Sequence, residues 1–142
     1  MLRIRFDLIG LGLVFAFGLV REELHAQSNA ELSVCTFNVR YDNPNDTIKW
    51  NERKNDVALA MRYFDIVSVQ EVLPNQYEDL SAMLPEHEAF GIGRDADGKG
   101  EACPVYWNAE RFDFLQGETR WLSLKSNQPG SVGWDADLPR IA

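Results

Sequence analysis

The chain has 142 residues, a length that suits one domain with an ordinary hydrophobic core. Its 45% hydrophobic and 25% charged residues exclude a disordered polymer. With 14 Lys and Arg against 22 Asp and Glu the formal charge is -8, which excludes a coat for nucleic acid but not a phosphate substrate met through a divalent cation.

Residues 1–30 read as a targeting segment. Arg3 and Arg5 form a basic start, Leu8 to Val20 is an uncharged apolar run, and small residues follow at Ala26, Ser28 and Ala30. The run is short for a membrane span and suits a secretory signal, with an uncleaved anchor as the alternative. The expectation is export to the periplasm, outer surface or medium, with 31–142 as the folded domain and no membrane contact beyond the signal. Cys35 and Cys103 are too few for a disulfide framework, and buried thiols are expected rather than a bridge between them.

Leu32 to Arg40 alternates apolar and polar residues, as a half-buried strand does. Asn38 lies near its end and opens a polar loop, where Asn is also a common turn residue. A helix follows, with Asn51 as N-cap, Val57, Met61 and Phe64 on one face, and Arg53 and Lys54 on a solvated one. The stretch Asp65 to Val72 predicts a short buried strand that runs into Gln70 and Glu71. A carboxylate there is costly unless it is paired, hydrogen-bonded or bound to metal, and ligands of open α/β sheets gather at such strand ends. The competing reading is that Glu71 caps the next helix. That helix opens at Pro74, buries Leu73, Tyr77, Leu80 and Leu84, and stops at Pro85. Strand, helix, strand, helix predicts a βαβα unit with both strands in one sheet.

Glu88 to Gly93 predicts another strand before a charged loop, Arg94 to Gly100. Ala102 to Trp107 and Phe112 to Leu115 predict a β-hairpin, with Pro104 at an edge or strand start. Thr119 to Leu124 predicts one more strand, then a loop to Leu138 and the opening of a strand at Pro139. His87 is placed in an exposed loop. Trp50, Trp107, Trp121 and Trp134 are spread along the chain, as packing aromatics are, with a stacking platform for bases or sugars as the minority alternative.

Thr36 to Asp42, Trp50 to Lys54 and above all Asp65 to Val72 together resemble the endonuclease/exonuclease/phosphatase superfamily of metal-dependent phosphoesterases. Gly100-Glu101, Pro104 to Trp107 and Gly130 to Ala142 resemble its secreted bacterial branch. The resemblance implies a deoxyribonuclease-like α/β fold, of which this chain is the N-terminal half: a two-sheet sandwich with helices outside. It also implies hydrolysis of a phosphoric ester with Mg2+ or Mn2+. By position, Glu71 would be the metal ligand, and Asn38 would sit beside it on the metal's water shell or a phosphate oxygen. Glu101 would orient a catalytic His, and Arg140 would contact phosphate.

The family's later catalytic His, its Asp-x-Asn pair and its terminal Ser-Asp-His do not occur here; Asp135 and Asp137 lie in a loop. General acid–base chemistry lacks its donors and acceptors in consequence. The expectation is a phosphoric ester hydrolase represented by an N-terminal fragment inactive by itself. The alternatives are a non-catalytic truncated product and a cell-surface glycan-binding module. No stable nucleic-acid complex is expected of so acidic a chain.

Overall fold

The structure, a computed structural model, describes residues 2–4 and 31–142. The export segment lies outside the described residues except for Leu2–Ile4, which form strand β1. The other elements are β2 (Val34–Asn38), α1 (Trp50–Met61), β3 (Ile66–Gln70), α2 (Pro74–Met83), β4 (His87–Phe90), β5 (Val105–Asn108) and β6 (Phe112–Phe114). Among the described residues no helix is long and apolar enough to cross a membrane.

Four strands form one mixed sheet in the order β2-β3-β5-β4. β2 and β3 pair in parallel from Val34 opposite Ile66 to Asn38 opposite Gln70, as the βαβ expectation requires. β5 runs antiparallel to β3 on one side and to β4 on the other. This occupancy overturns the expected β5–β6 hairpin: both edges of β5 are taken, and β6 pairs instead with β1. The turn between them does form, with the Arg111 N–H donating to the Asn108 carbonyl at 3.2 Å. Pro104 sits just before β5, where its missing N–H costs the ladder nothing, and its carbonyl accepts from Val69 at 2.8 Å.

The period of two along each strand divides the sheet into unlike faces. Cys35, Phe37, Val67, Val69, Tyr106 and Ala89 face α1 and α2, where Val57, Ala58, Met61, Leu80 and Leu84 complete a dry core. The opposite face carries Val34, Thr36, Ile66, Ser68, Val105, Trp107 and Phe90. β6 covers its β5–β4 end: the Phe114 ring stacks on Trp107 and on Phe90, each at 5.1 Å. At the β2 end Val34 remains 59% exposed.

Four local expectations are corrected. The N-cap of α1 is Lys49, not Asn51, and Glu52 accepts the Lys49 N–H at 3.2 Å. Thr119 to Leu124 forms no strand, because Ser123 turns back to donate to the Trp121 carbonyl at 2.8 Å. A single bridge joins Trp121 to Ile141. His87 is buried in β4 rather than exposed in a loop, with its ring nitrogen 3.1 Å from the Phe64 carbonyl. The two cysteines are free and half-buried rather than fully buried, since each lies near a strand end.

Candidate active site at the carboxyl edge of the sheet

Glu71 follows the last residue of β3, and its backbone is left-handed, with φ at 62°. A non-glycine residue there costs roughly 1–2 kcal/mol, so surrounding bonds must hold it. They do. One carboxylate oxygen accepts Asn38 Nδ2 at 3.0 Å and the other accepts the Tyr41 N–H at 3.2 Å. The Asn38 hydrogen bond is the main reason the Glu71 carboxyl lies below its ordinary range; burial opposes it, and the Tyr41 N–H and the charges of Arg40 and Arg94 assist.

The capping alternative for Glu71 therefore fails, since its oxygens point to β2 and the loop beyond it. The first turn of α2 is served by Gln76, whose Oε1 accepts the Leu73 N–H at 3.1 Å. Asn38 acts as a turn residue, its Oδ1 accepting the Arg40 N–H at 2.8 Å, and its amide nitrogen also donates to Glu71.

The loop after β2 is fixed from two sides. Gln76 is wholly buried, and besides Leu73 it accepts the Asp42 N–H and donates to the Arg40 carbonyl, both at 3.0 Å. Arg53 donates to the carbonyls of Val39, Arg40 and Tyr41, the last at 3.3 Å, and lies over Trp50 at 5.0 Å. Lys54 pairs with Asp79 at 3.0 Å. Arg53 and Lys54 are thus bracing groups, not a solvated face. A Gln in the first turn of α2, three residues past its N-cap Leu73, and an Arg at the opening of α1 were the available signals for this brace.

Glu101 reaches the same edge through the backbone pair of Val72 and Ala102, whose N–H groups donate to each other's carbonyls at 3.1 and 2.8 Å. Its carboxylate accepts a forked pair of bonds from Arg94 at 3.0 and 3.1 Å. Arg140 is exposed, and its backbone carbonyl accepts the Leu122 N–H at 2.7 Å. The structure thus brings Asn38 and Glu71 into contact, sets Glu101 on the adjoining strand end, and leaves the Arg140 side chain outside these bonds. His87 lies level with Asp65, about 20 Å of strand from Glu71.

The donor set fits a hard cation. Each Glu71 oxygen accepts one N–H and keeps a further lone pair, and the group is held ionised. One carboxylate supplemented by water suits Mg2+ better than Zn2+, which takes three or four protein ligands. Among the described residues no group of three His, Cys, Asp or Glu gathers as such a cage.

A mixed α/β sheet with helices on one face and an ionised Glu at the end of an inner strand defines a deoxyribonuclease-like fold. No protein-family profile and no curated protein matches the chain. Solved structures do. An endonuclease/exonuclease/phosphatase from Bacteroides vulgatus is 42% identical with a TM-score of 0.74, over 78% of this chain and 44% of that one. An endonuclease/exonuclease/phosphatase family protein from Bacteroides thetaiotaomicron is 35% identical with a TM-score of 0.74, over 78% and 42%. A mannosyl-6-phosphatase from the same species is 35% identical with a TM-score of 0.74, over 78% and 43%. These neighbours, at 35–42% identity, are endonuclease/exonuclease/phosphatase family proteins, and the chain is similar to their N-terminal part. It spans less than half the length of these proteins.

Proposed function

We propose that the chain carries the cation-holding part of a metal-dependent phosphoric ester hydrolase, with a sugar phosphate as the substrate class. One observation carries the reading: an ionised Glu71 is held in a left-handed backbone at the carboxyl edge of the sheet by Asn38 and the Tyr41 N–H. One of the similar structures, from Bacteroides thetaiotaomicron, is a mannosyl-6-phosphatase, which supports the sugar phosphate.

In this reading Glu71 holds Mg2+ or Mn2+, and Asn38 fixes the carboxylate's rotamer while its exposed edge meets the cation's water or a phosphate oxygen. The bound ion supplies positive charge that polarises a phosphoryl oxygen. Arg94 holds Glu101 in a forked geometry, which leaves Glu101 poised to orient an imidazole if one is brought to this edge. Arg140 would contact phosphate. No described histidine lies near Glu71, so the 142-residue chain alone should turn over phosphate esters little or not at all. Residues 1–30 would act as the export signal, and their removal would also take β1 away from β6.

Calorimetry with MgCl2 and MnCl2 on the purified chain tests the core of this reading. Binding lost in Glu71→Gln and weakened in Asn38→Ala is expected. Equal binding by wild type and Glu71→Gln overturns the cation site, and robust phosphatase activity of the chain overturns its inactivity. Mass spectrometry of the exported protein tests the signal, with cleavage near residue 30 expected.

A further inference from the structure

Trp121, Trp50 and Trp107 are buried, whereas Trp134 is 66% exposed. It is not a loose residue on a loose loop. Trp134 and Asp135 are both left-handed, with φ at 56° and 62°, so two successive non-glycine residues occupy a disfavoured backbone region. The residue before them is Gly133, where a Cβ would lie 2.8 Å from Ser123 Cα; any side chain there would force the segment away. The opposing strand of the loop is locked as well. The Ser123 and Ser131 hydroxyls lie 2.8 Å apart, the Lys125 N–H donates to Ser123 Oγ at 2.9 Å, and Ser131 Oγ donates to the Lys125 carbonyl at 3.0 Å.

These bonds shape an open cavity of about 440 Å³ whose wall includes Trp134, Ser123, Lys125, Gln128 and Ser131. An apolar ring face beside hydroxyl, ammonium and amide groups is the surface a pyranose needs. Its C–H face packs on an aromatic ring while its hydroxyls exchange hydrogen bonds with polar neighbours. Leu124 and Val132 also line the cavity, and the Ser123 and Ser131 hydroxyls are already bonded, so the polar groups an apolar ligand would leave without a partner are the Lys125 ammonium and the Gln128 amide.

The loop is also tied to the edge that carries Glu71. Trp121 Nε1 donates to the Arg94 carbonyl at 2.6 Å, and a Cβ on Gly130 would lie 2.9 Å from Ala96 Cβ. Arg94 holds Glu101, which adjoins the Val72–Ala102 pair next to Glu71.

We propose that Trp134 and the polar rim of its cavity form a recognition subsite for the hexose ring of a phosphorylated sugar. The proposal deepens the hydrolase reading and rests on it for the phosphate, but the ring contact stands on the cavity alone. Trp134 here is a specificity residue, not a catalytic one.

The test is a titration of the ¹⁵N-labelled chain with methyl α-mannoside, a hexose without phosphate, following the four indole N–H signals. The Trp134 signal, assigned as the one missing in Trp134→Phe, should move in a saturable way while the three others stay fixed. Trp134→Ala should weaken binding roughly five- to tenfold, and Trp134→Phe should retain most of it. Glu71→Gln should leave the titration unchanged, so loss of cation binding and loss of sugar binding are read separately. A Trp134 signal that does not move, or one that moves equally with glycerol, overturns the proposal. If Trp134→Ala fails to fold, the Phe variant and the wild-type shifts still decide it.

Discussion

Replacing Gln76 by leucine keeps the volume of a wholly buried side chain and removes three hydrogen bonds. Two backbone donors, Asp42 and Leu73, lose their acceptor, and the Arg40 carbonyl keeps only its bond from Arg53. An unsatisfied buried donor costs about 1–3 kcal/mol, less where water can enter. Asp42 lies in a half-buried loop that water can reach, so the two donors and the lost amide bond together predict a loss of about 2–4 kcal/mol. Urea unfolding followed by circular dichroism measures it, with an unchanged slope expected because the surface exposed on unfolding is the same. Gln76→Glu should cost at least as much at neutral pH, since a wholly buried carboxylate oxygen would face the Arg40 carbonyl, and should recover as pH falls and the carboxyl protonates. The same loop delivers the Tyr41 N–H to Glu71, so Gln76→Leu should also weaken Mg2+ binding without touching the carboxylate. A stability loss under about 0.5 kcal/mol would refute the view that Gln76 fixes this loop.

Gly93→Ala should destabilise the chain by about 1–3 kcal/mol, read by urea unfolding, because the new Cβ would lie 2.0 Å from the Lys99 carbonyl oxygen and must open the loop. Leu80→Ala, at a wholly buried position between helix and sheet, should cost about 2–5 kcal/mol in the same assay. Asp65 gives a pH signature. Burial pushes its carboxyl up, but the Ser33 N–H and hydroxyl and the Arg111 guanidinium outweigh it and hold the folded value below the ordinary one. A depressed carboxyl contributes stability above its unfolded value near 4 and loses it as pH falls through the folded value. Asp65→Asn should therefore lower stability at neutral pH and flatten its decline below about pH 4, a difference that unfolding midpoints across pH will show.

The central unit was legible because local signals agreed there. Alternation set β2, a β-branched run set β3, Pro74 opened α2, and the parallel pairing followed from the helix between the strands. Glu71 drew notice as a carboxylate at the end of a buried strand, Asn38 became a site candidate only through the family resemblance, and the structure puts the two in contact. The second half read less well because adjacency in sequence is a poor guide to strand pairing. β5 and β6 look like a hairpin locally, yet β3 and β4 compete for both edges of β5 and win. Thr119 to Leu124 has strand composition, but Ser123 side-chain and backbone bonds offer a turn that a window of propensities does not register. His87 misled for a related reason: a polar residue after Pro85 suggests solvent, and only the tertiary contact with the Phe64 carbonyl explains its burial.

The two faces of the sheet differ in whether they leave a way to Glu71. The helix-side face is closed and apolar, so no water or substrate reaches Glu71 through it. Asn38 and Gln70 share the other face, and Gln70 donates there to Thr36 Oγ1 at 3.2 Å and Ser68 Oγ at 3.3 Å. Glu71, held by Asn38, is thus presented where this second face meets the carboxyl edge. β6 covers the face only toward β4, through Phe114 on Trp107 and Phe90, and the half beside β2 keeps Val34 and Thr36 in solvent. On the proposed hydrolase reading, a group that activates water would approach from that open side, because the helix-side face is packed and apolar. Any group packed on that open side would bury Val34 and the Thr36–Ser68–Gln70 row beside Asn38, which holds Glu71.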